Sequence, residues 1–167
     1  MKIAVSSYSF QKYINQGIMT QLDTVAKAPA LGFSAIEFTD LAPCENPSEE
    51  EQKACAKAIR AEADKYGMEI VAYAIGASLY YENEQDSLAE IERLKAQLDV
   101  AAILGAKILR HDVCYSLGKT GNARSFDRML PTLAANIRQV TEYAETLGIR
   151  TCTENHGYIV QDSDRME

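Results

Sequence analysis

The sequence predicts an α/β fold in which parallel strands and helices alternate along the chain, and two observations carry that prediction. First, a glycine closes a helical segment and a strand follows at once in four places: Leu31-Gly32 before Phe33–Phe38, Tyr66-Gly67 before Met68–Tyr73, Leu104-Gly105 before Ala106–His111, and Leu147-Gly148 before Ile149–Thr153. A glycine just past a helix takes the left-handed backbone that ends it, and a short helix-to-strand joint is half of a βαβ unit. Second, the last of these strands closes on Glu154, Asn155, His156 and Gly157, which crowds ionisable and amide groups at its C-terminal end. That end is where parallel α/β proteins gather their functional groups.

Composition narrows the class of protein. The chain has 167 residues, 47% apolar and 25% charged, enough for one domain with a real core. Seventeen basic against 24 acidic residues give a net charge of -7, and no Lys/Arg run interleaves with aromatics, so a nucleic-acid partner is not expected. No apolar run reaches the ~20 residues of a membrane helix and the N-terminus lacks a signal-peptide core, which makes a cytoplasmic protein without a membrane partner the expectation. Cys44, Cys55, Cys114 and Cys152 have neither C-x-x-C spacing nor scaffold density, and read as reduced thiols in the core or at strand ends.

Taken in order, Lys2–Phe10 begins as an apolar strand and ends in hydroxyls. Ser6, Ser7 and Ser9 line a pocket or satisfy backbone groups in the turn. The first helix is expected from about Thr20 to Ala28, with Pro29 weakening it. Strand two, Ser34–Asp40, places Glu37 among apolar residues, an expensive position unless the carboxylate is paired or functional. Helix two opens on a capping box of Ser48 and Glu51 and stops at Gly67. Strand three is Glu69–Ile75, followed by a loop in which Tyr80 and Tyr81 either stack on a ligand or pack against the chain.

Helix three repeats Leu88, Ile91, Leu94, Leu98 and Ala101 or Ala102 at helical spacing, the mark of one buried face. Strand four, Ala106–Asp112, ends in Arg110, His111 and Asp112, and Val113–Ser125 reads as a loop. Gly118-Lys119-Thr120 is no phosphate loop, because no glycine stands five residues ahead of Gly118. Helix four carries Leu130, Leu133, Ile137, Val140, Ala144 and Leu147, and Asp162 or Ser163 caps a fifth helix near the end. Five parallel strands and four helices in sequential order make slightly more than half of a (β/α)8 barrel, which needs roughly 250 residues. One domain over residues 1–167, truncated after strand five, is therefore expected.

With Val5–Phe10, Gly32–Glu37, Leu109–Asp112 and Thr153–Gly157 in this order, the chain resembles the xylose isomerase-like TIM-barrel superfamily, and within it the sugar phosphate isomerase/epimerase group. The resemblance runs the length of the chain, and the Glu-Asn-His-Gly at strand five is its most specific element. It implies a divalent metal (Mn, Mg, Co or Zn), a sugar or sugar-phosphate substrate, and isomerisation or epimerisation through an enediolate. It places one metal ligand on Glu154, which would also be one carboxylate of the acid–base pair. The family's remaining ligands, an Asp, a His and a second Glu, come from later strands, so the chain alone is expected to be inactive.

Three further residues are candidates for substrate binding. His156 would touch substrate or orient a ligand, or be an exposed loop histidine; Asn155 belongs to the same element. Arg110 would grip a phosphate or hydroxyl, or pair with Glu37, since both hold the fifth position of even-numbered strands. His111 and Asp112 at the mouth of strand four are weaker candidates. The alternative from another class is a non-catalytic half-barrel that assembles as a homo-oligomer through unpaired strand edges.

Overall fold

A computed structural model of the chain describes residues 2–117, 125–156 and 159–166. Strands β1 (Ala4–Ser6), β2 (Ala35–Thr39), β3 (Glu69–Ile75), β4 (Ile108–His111) and β5 (Arg150–Thr153) form one parallel sheet in the order β1-β2-β3-β4-β5. Spatial order follows chain order, as repeated βαβ units require. Four long helices alternate with them: α2 (Gln21–Ala30), α3 (Glu49–Tyr66), α4 (Glu84–Leu104) and α5 (Phe126–Thr146). A 3-10 turn at Ser7–Phe10 and the short α1 (Gln11–Asn15) were not foreseen, and α6 (Ser163–Met166) is the brief last helix. The sequence groups into two compact units, Met1–Ala74 with Asp99–Leu109, and Ile75–Leu98 with Arg110–Glu167.

In the first unit, helix ends are set by the chemistry the sequence advertises. Ser48 accepts from the Glu51 N–H while the Glu51 carboxylate accepts from the Ser48 N–H, at 3.3 and 2.8 Å, and that backbone bond holds the Glu51 carboxyl below its ordinary value. Thr20 and Asp23 form a second such box at the start of α2. Helix α2 also runs on through Pro29 to Ala30, past the expected stop. Proline in the last turn removes one amide bond just where the helix is ending. At the end of α3, Gly67 has φ +61 with nothing within 4 Å of a would-be Cβ, so glycine serves the left-handed turn there and not a tight space.

Strand β2 pairs in parallel with β1 (Val5 opposite Ile36) and with β3 (Phe38 opposite Tyr73). Ile36, Phe38, Ile59, Tyr73 and Leu104 are fully buried, and the Tyr73 hydroxyl accepts the Leu41 N–H. Buried Gln21 clamps the turn after β2: its amide donates to the Thr39 and Asp40 carbonyls and its oxygen accepts from Ala42 N–H. Ser7 takes the bland role foreseen for it, with Oγ accepting the Thr39 N–H at 3.0 Å. Glu37 is half-buried and forms no ion pair among the described residues.

In the second unit, most of both expected helical stripes is buried, and each departs at its N-terminal part. On α4, Ile91, Leu94 and Leu98 are buried but Leu88 is 40% exposed, because buried Ser87 takes the inward place. The Ser87 hydroxyl accepts the Tyr81 N–H and donates to the Tyr81 carbonyl. On α5, Phe126, Met129, Leu133, Asn136, Val140 and Ala144 are buried. Leu130 and Ile137 instead line a groove of about 570 Å³ with Val160 and Met166. Asn136 belongs to the buried face because its amide donates to the Leu79 carbonyl at 2.8 Å. Asp162 caps α6 through the Arg165 N–H.

Candidate functional site

Two adjacent strand ends build the site, and one backbone bond sets their register: the Glu154 N–H donates to the His111 carbonyl at 3.0 Å. Side chains two apart on a strand share a face, so this register brings Arg110 beside Glu154 and Asp112 beside His156. Both pairs form. Arg110 is ion-paired with Glu154, and His156 Nδ1 lies 3.0 Å from Asp112 Oδ1. Arg110 therefore pairs across to β5, and Glu37, offered as its alternative partner, forms no ion pair among the described residues. Asn155 is exposed, and its amide reaches the Gln161 carbonyl at 3.5 Å.

Burial divides the four charged groups. Asp112 has 5% of its side chain exposed, His156 65%, and Arg110 and Glu154 30% and 38%. A buried carboxylate is costly unless hydrogen-bonded. Asp112 is bonded on both oxygens, because the Tyr115 hydroxyl donates to Oδ2 at 3.1 Å while His156 faces Oδ1. A carboxylate only accepts, so His156 donates from Nδ1 to Asp112 Oδ1. Room for the Tyr115 phenol comes from Gly76, where a Cβ would lie 2.5 Å from the hydroxyl oxygen.

His111, on the opposite face of β4, is fully buried; Nδ1 donates to the Asp112 carbonyl at 2.8 Å, and Nε2 has no partner among the described residues. Burial pushes its pKa below the ordinary 6.5. The unfolded chain therefore binds this proton more readily than the folded one, and stability falls as pH drops below about 6.5. His111→Asn retains a donor at the Nδ1 position and cannot take up that proton. Its urea midpoint is expected to fall less than that of the unsubstituted protein between pH 7 and pH 5.5; equal falls would show that His111 carries no part of the acid sensitivity.

Three of these residues could hold a metal ion. One ligand atom each from Asp112, Glu154 and His156 lies within 4.8 Å of the others. Two carboxylate oxygens and an imidazole nitrogen suit Mn, Co or Zn, and three protein ligands leave positions for water or substrate. Arg110 and His156 now occupy the carboxylates an ion would draw on. Asp112, the weaker expectation from sequence, is thus central. Its signal was the two-residue spacing to Arg110, matched by Glu154 to His156. Nothing in the sequence marked Tyr115. Gly118-Lys119-Thr120 and Gly157 lie outside the described residues. The four cysteines are free, with burial raising the thiol pKa of Cys55 and Cys114.

A family model for the xylose isomerase-like TIM barrel matches residues 25–166. The chain belongs to that family. By sequence no curated protein matches it. Among solved structures it is similar to D-psicose 3-epimerase with D-tagatose from Clostridium cellulolyticum (TM-score 0.72, 15% identity, 99% of this chain and 57% of that one). It is also similar to 3-keto-D-glucoside 4-epimerase from E. coli (0.63, 15%, 85% and 53%). A third similar structure is an Anabaena variabilis protein provisionally described as a sugar phosphate isomerase/epimerase (0.65, 19%, 94% and 54%). The chain of this xylose isomerase-like protein thus spans little more than half the length of these structures. Among its described residues no helix is long and apolar enough to cross a membrane.

Proposed function

We propose that the chain carries the N-terminal part of the active site of a divalent-metal-dependent sugar isomerase or epimerase. The observation that supports this best is the convergence of Asp112, Glu154 and His156 at the ends of two neighbouring parallel strands. In this reading Glu154 and Asp112 hold the ion with His156. Once bound, the ion supplies Lewis-acid polarisation of the sugar carbonyl. Glu154 Oε moves the proton at the carbon beside that carbonyl, on the way to an enediolate, and a carboxylate on the sugar's other face completes the exchange. Arg110 fixes Glu154 until substrate or metal takes over, and Arg110 and Asn155 bind sugar hydroxyls.

Titration of the purified chain with Mn²⁺, followed by electron paramagnetic resonance, tests this. One ion per chain is expected, with binding lost in Glu154→Gln at an unchanged melting temperature. Absence of binding, or the same affinity in that variant, would remove the proposal.

The competing reading, assembly of copies without catalysis, has one observation in its favour: the apolar groove beside α5 that Leu130 and Ile137 leave open. A metal-free dimer in sedimentation equilibrium, dispersed by Leu130→Glu, is the result that would favour it.

A further inference from the structure

Gly76, the first residue after β3, is bare for a reason its own backbone does not supply. Its φ is not positive, so the conformation is open to any residue. Space decides instead: a Cβ there would lie 2.5 Å from the Tyr115 hydroxyl oxygen, and 3.8 Å from both Tyr115 Cζ and Asp112 Oδ2. One of the two partners would have to yield. The Gly76 end is clamped to α4, since its carbonyl accepts from Arg93 Nη2 at 2.6 Å and Arg93 donates to both Glu90 oxygens at 2.7 and 2.8 Å. Glu90 also accepts the Ser78 N–H at 3.0 Å, which ties down the next turn of chain. Tyr115, by contrast, is 51% exposed and its ring can swing outward. A side chain at position 76 would therefore displace the phenol and leave the strand end in place.

We propose that Gly76 and Tyr115 form one positioning device for Asp112: the bare Cα admits the phenol hydroxyl, and the hydroxyl orients the carboxylate for the ion. The assignment rests on reading Asp112 as a metal ligand. Its side chain meets His156 at Oδ1 and Tyr115 at Oδ2, at 3.0 and 3.1 Å. His156 belongs to the cluster with Asp112 and Glu154, so its bond to Oδ1 is given up when both residues turn to an ion. Tyr115 stands outside the cluster, and its bond to Oδ2 lasts. A carboxylate held at one oxygen presents the other without first being ordered, which is how groups behind a ligand raise metal affinity. The hydroxyl is also neutral, so it orients Asp112 without competing for it as the Arg110 guanidinium competes for Glu154. Both are positioning residues.

The test is a double-mutant cycle on the full chain, with Mn²⁺ affinity read by isothermal titration in the parent, Gly76→Ala, Tyr115→Phe and the double variant. Tyr115→Phe is expected to weaken Mn²⁺ about tenfold. Gly76→Ala should cost about the same, because it pushes the hydroxyl off Oδ2 without removing it. The double variant should bind no more weakly than either single one: phenylalanine has no oxygen at the crowded spot, and the new Cβ meets Cζ at 3.8 Å, an ordinary contact. Melting temperatures should stay within about 5 °C of the parent. In the metal-free chain the Asp112 ¹³Cγ resonance, assigned by its loss in Asp112→Asn, should move in the same direction in all three variants. Losses that add to about 100-fold in the double variant overturn the device, as does unchanged Mn²⁺ affinity in Tyr115→Phe. An Asp112 resonance indifferent to Gly76→Ala overturns it too. A parent that binds no Mn²⁺ removes Asp112 as a ligand and the metal reading with it; the hydroxyl seat is then upheld by the shared Asp112 shift and overturned by its absence.

Discussion

Asp112→Asn is expected to weaken Mn²⁺ binding roughly 100-fold while leaving the fold and melting temperature nearly unchanged. The asymmetry comes from the environment of the side chain. Asparagine has the shape of aspartate; its oxygen still accepts from the Tyr115 hydroxyl, and its amide donates to His156 Nδ1 once that ring carries its proton on Nε2. What disappears is the negative charge, and with it one of the two anionic ligands in a cluster whose third member is an imidazole. The buried position makes this loss larger than it would be at the surface, because little water stands by to substitute. Isothermal titration with Mn²⁺ against Asp112→Asn and Glu154→Gln side by side is the measurement. Wild-type affinity in Asp112→Asn would leave Glu154 without its neighbour and return Asp112 to the role of a hydrogen-bonded strand end.

The parts of this molecule that could be read from sequence are those decided within a few residues. Gly67, Gly105 and Gly148 all adopt positive φ at the helix-to-strand joints, and Ser48 caps α3 with Glu51, because a left-handed turn and a capping box are local chemistry. The sheet order followed from the repetition of those joints. The site was legible in outline: Glu154 and His156 stand at a strand end as expected. Its pairings were not, because Arg110 with Glu154 and Asp112 with His156 depend on the register of two strands far apart in the chain. Counting from the glycines matched Arg110 to Glu37 on an alternate strand, whereas its ion pair is with the strand beside it. The helical stripes held at Ile91, Leu94, Leu98, Leu133, Val140 and Ala144 and departed at Leu88 and Leu130. Leu130 satisfies the period but Asn136 takes the buried face, since its amide bonds a backbone carbonyl that a hydrophobic pattern does not contain.

Phe38→Ala is expected to destabilise the protein by about 3–5 kcal/mol, and Glu37→Gln, one residue away, by no more than about 0.5 kcal/mol. Along β2 the burial alternates after Ile36. Ile36 and Phe38 have no exposed surface, whereas Glu37 and Thr39 are half-buried on the other face. Removing the Phe38 ring leaves a cavity between β2 and its helical cover, where the packed neighbours relax only in part. Glu37 has no ionic partner among the described residues, so neutralising it strands no buried cation. Urea denaturation at pH 7, with the slope compared between variants, separates the two. A loss of more than about 2 kcal/mol in Glu37→Gln would mean that this carboxylate does hold a buried partner, as its place in the sequence first suggested.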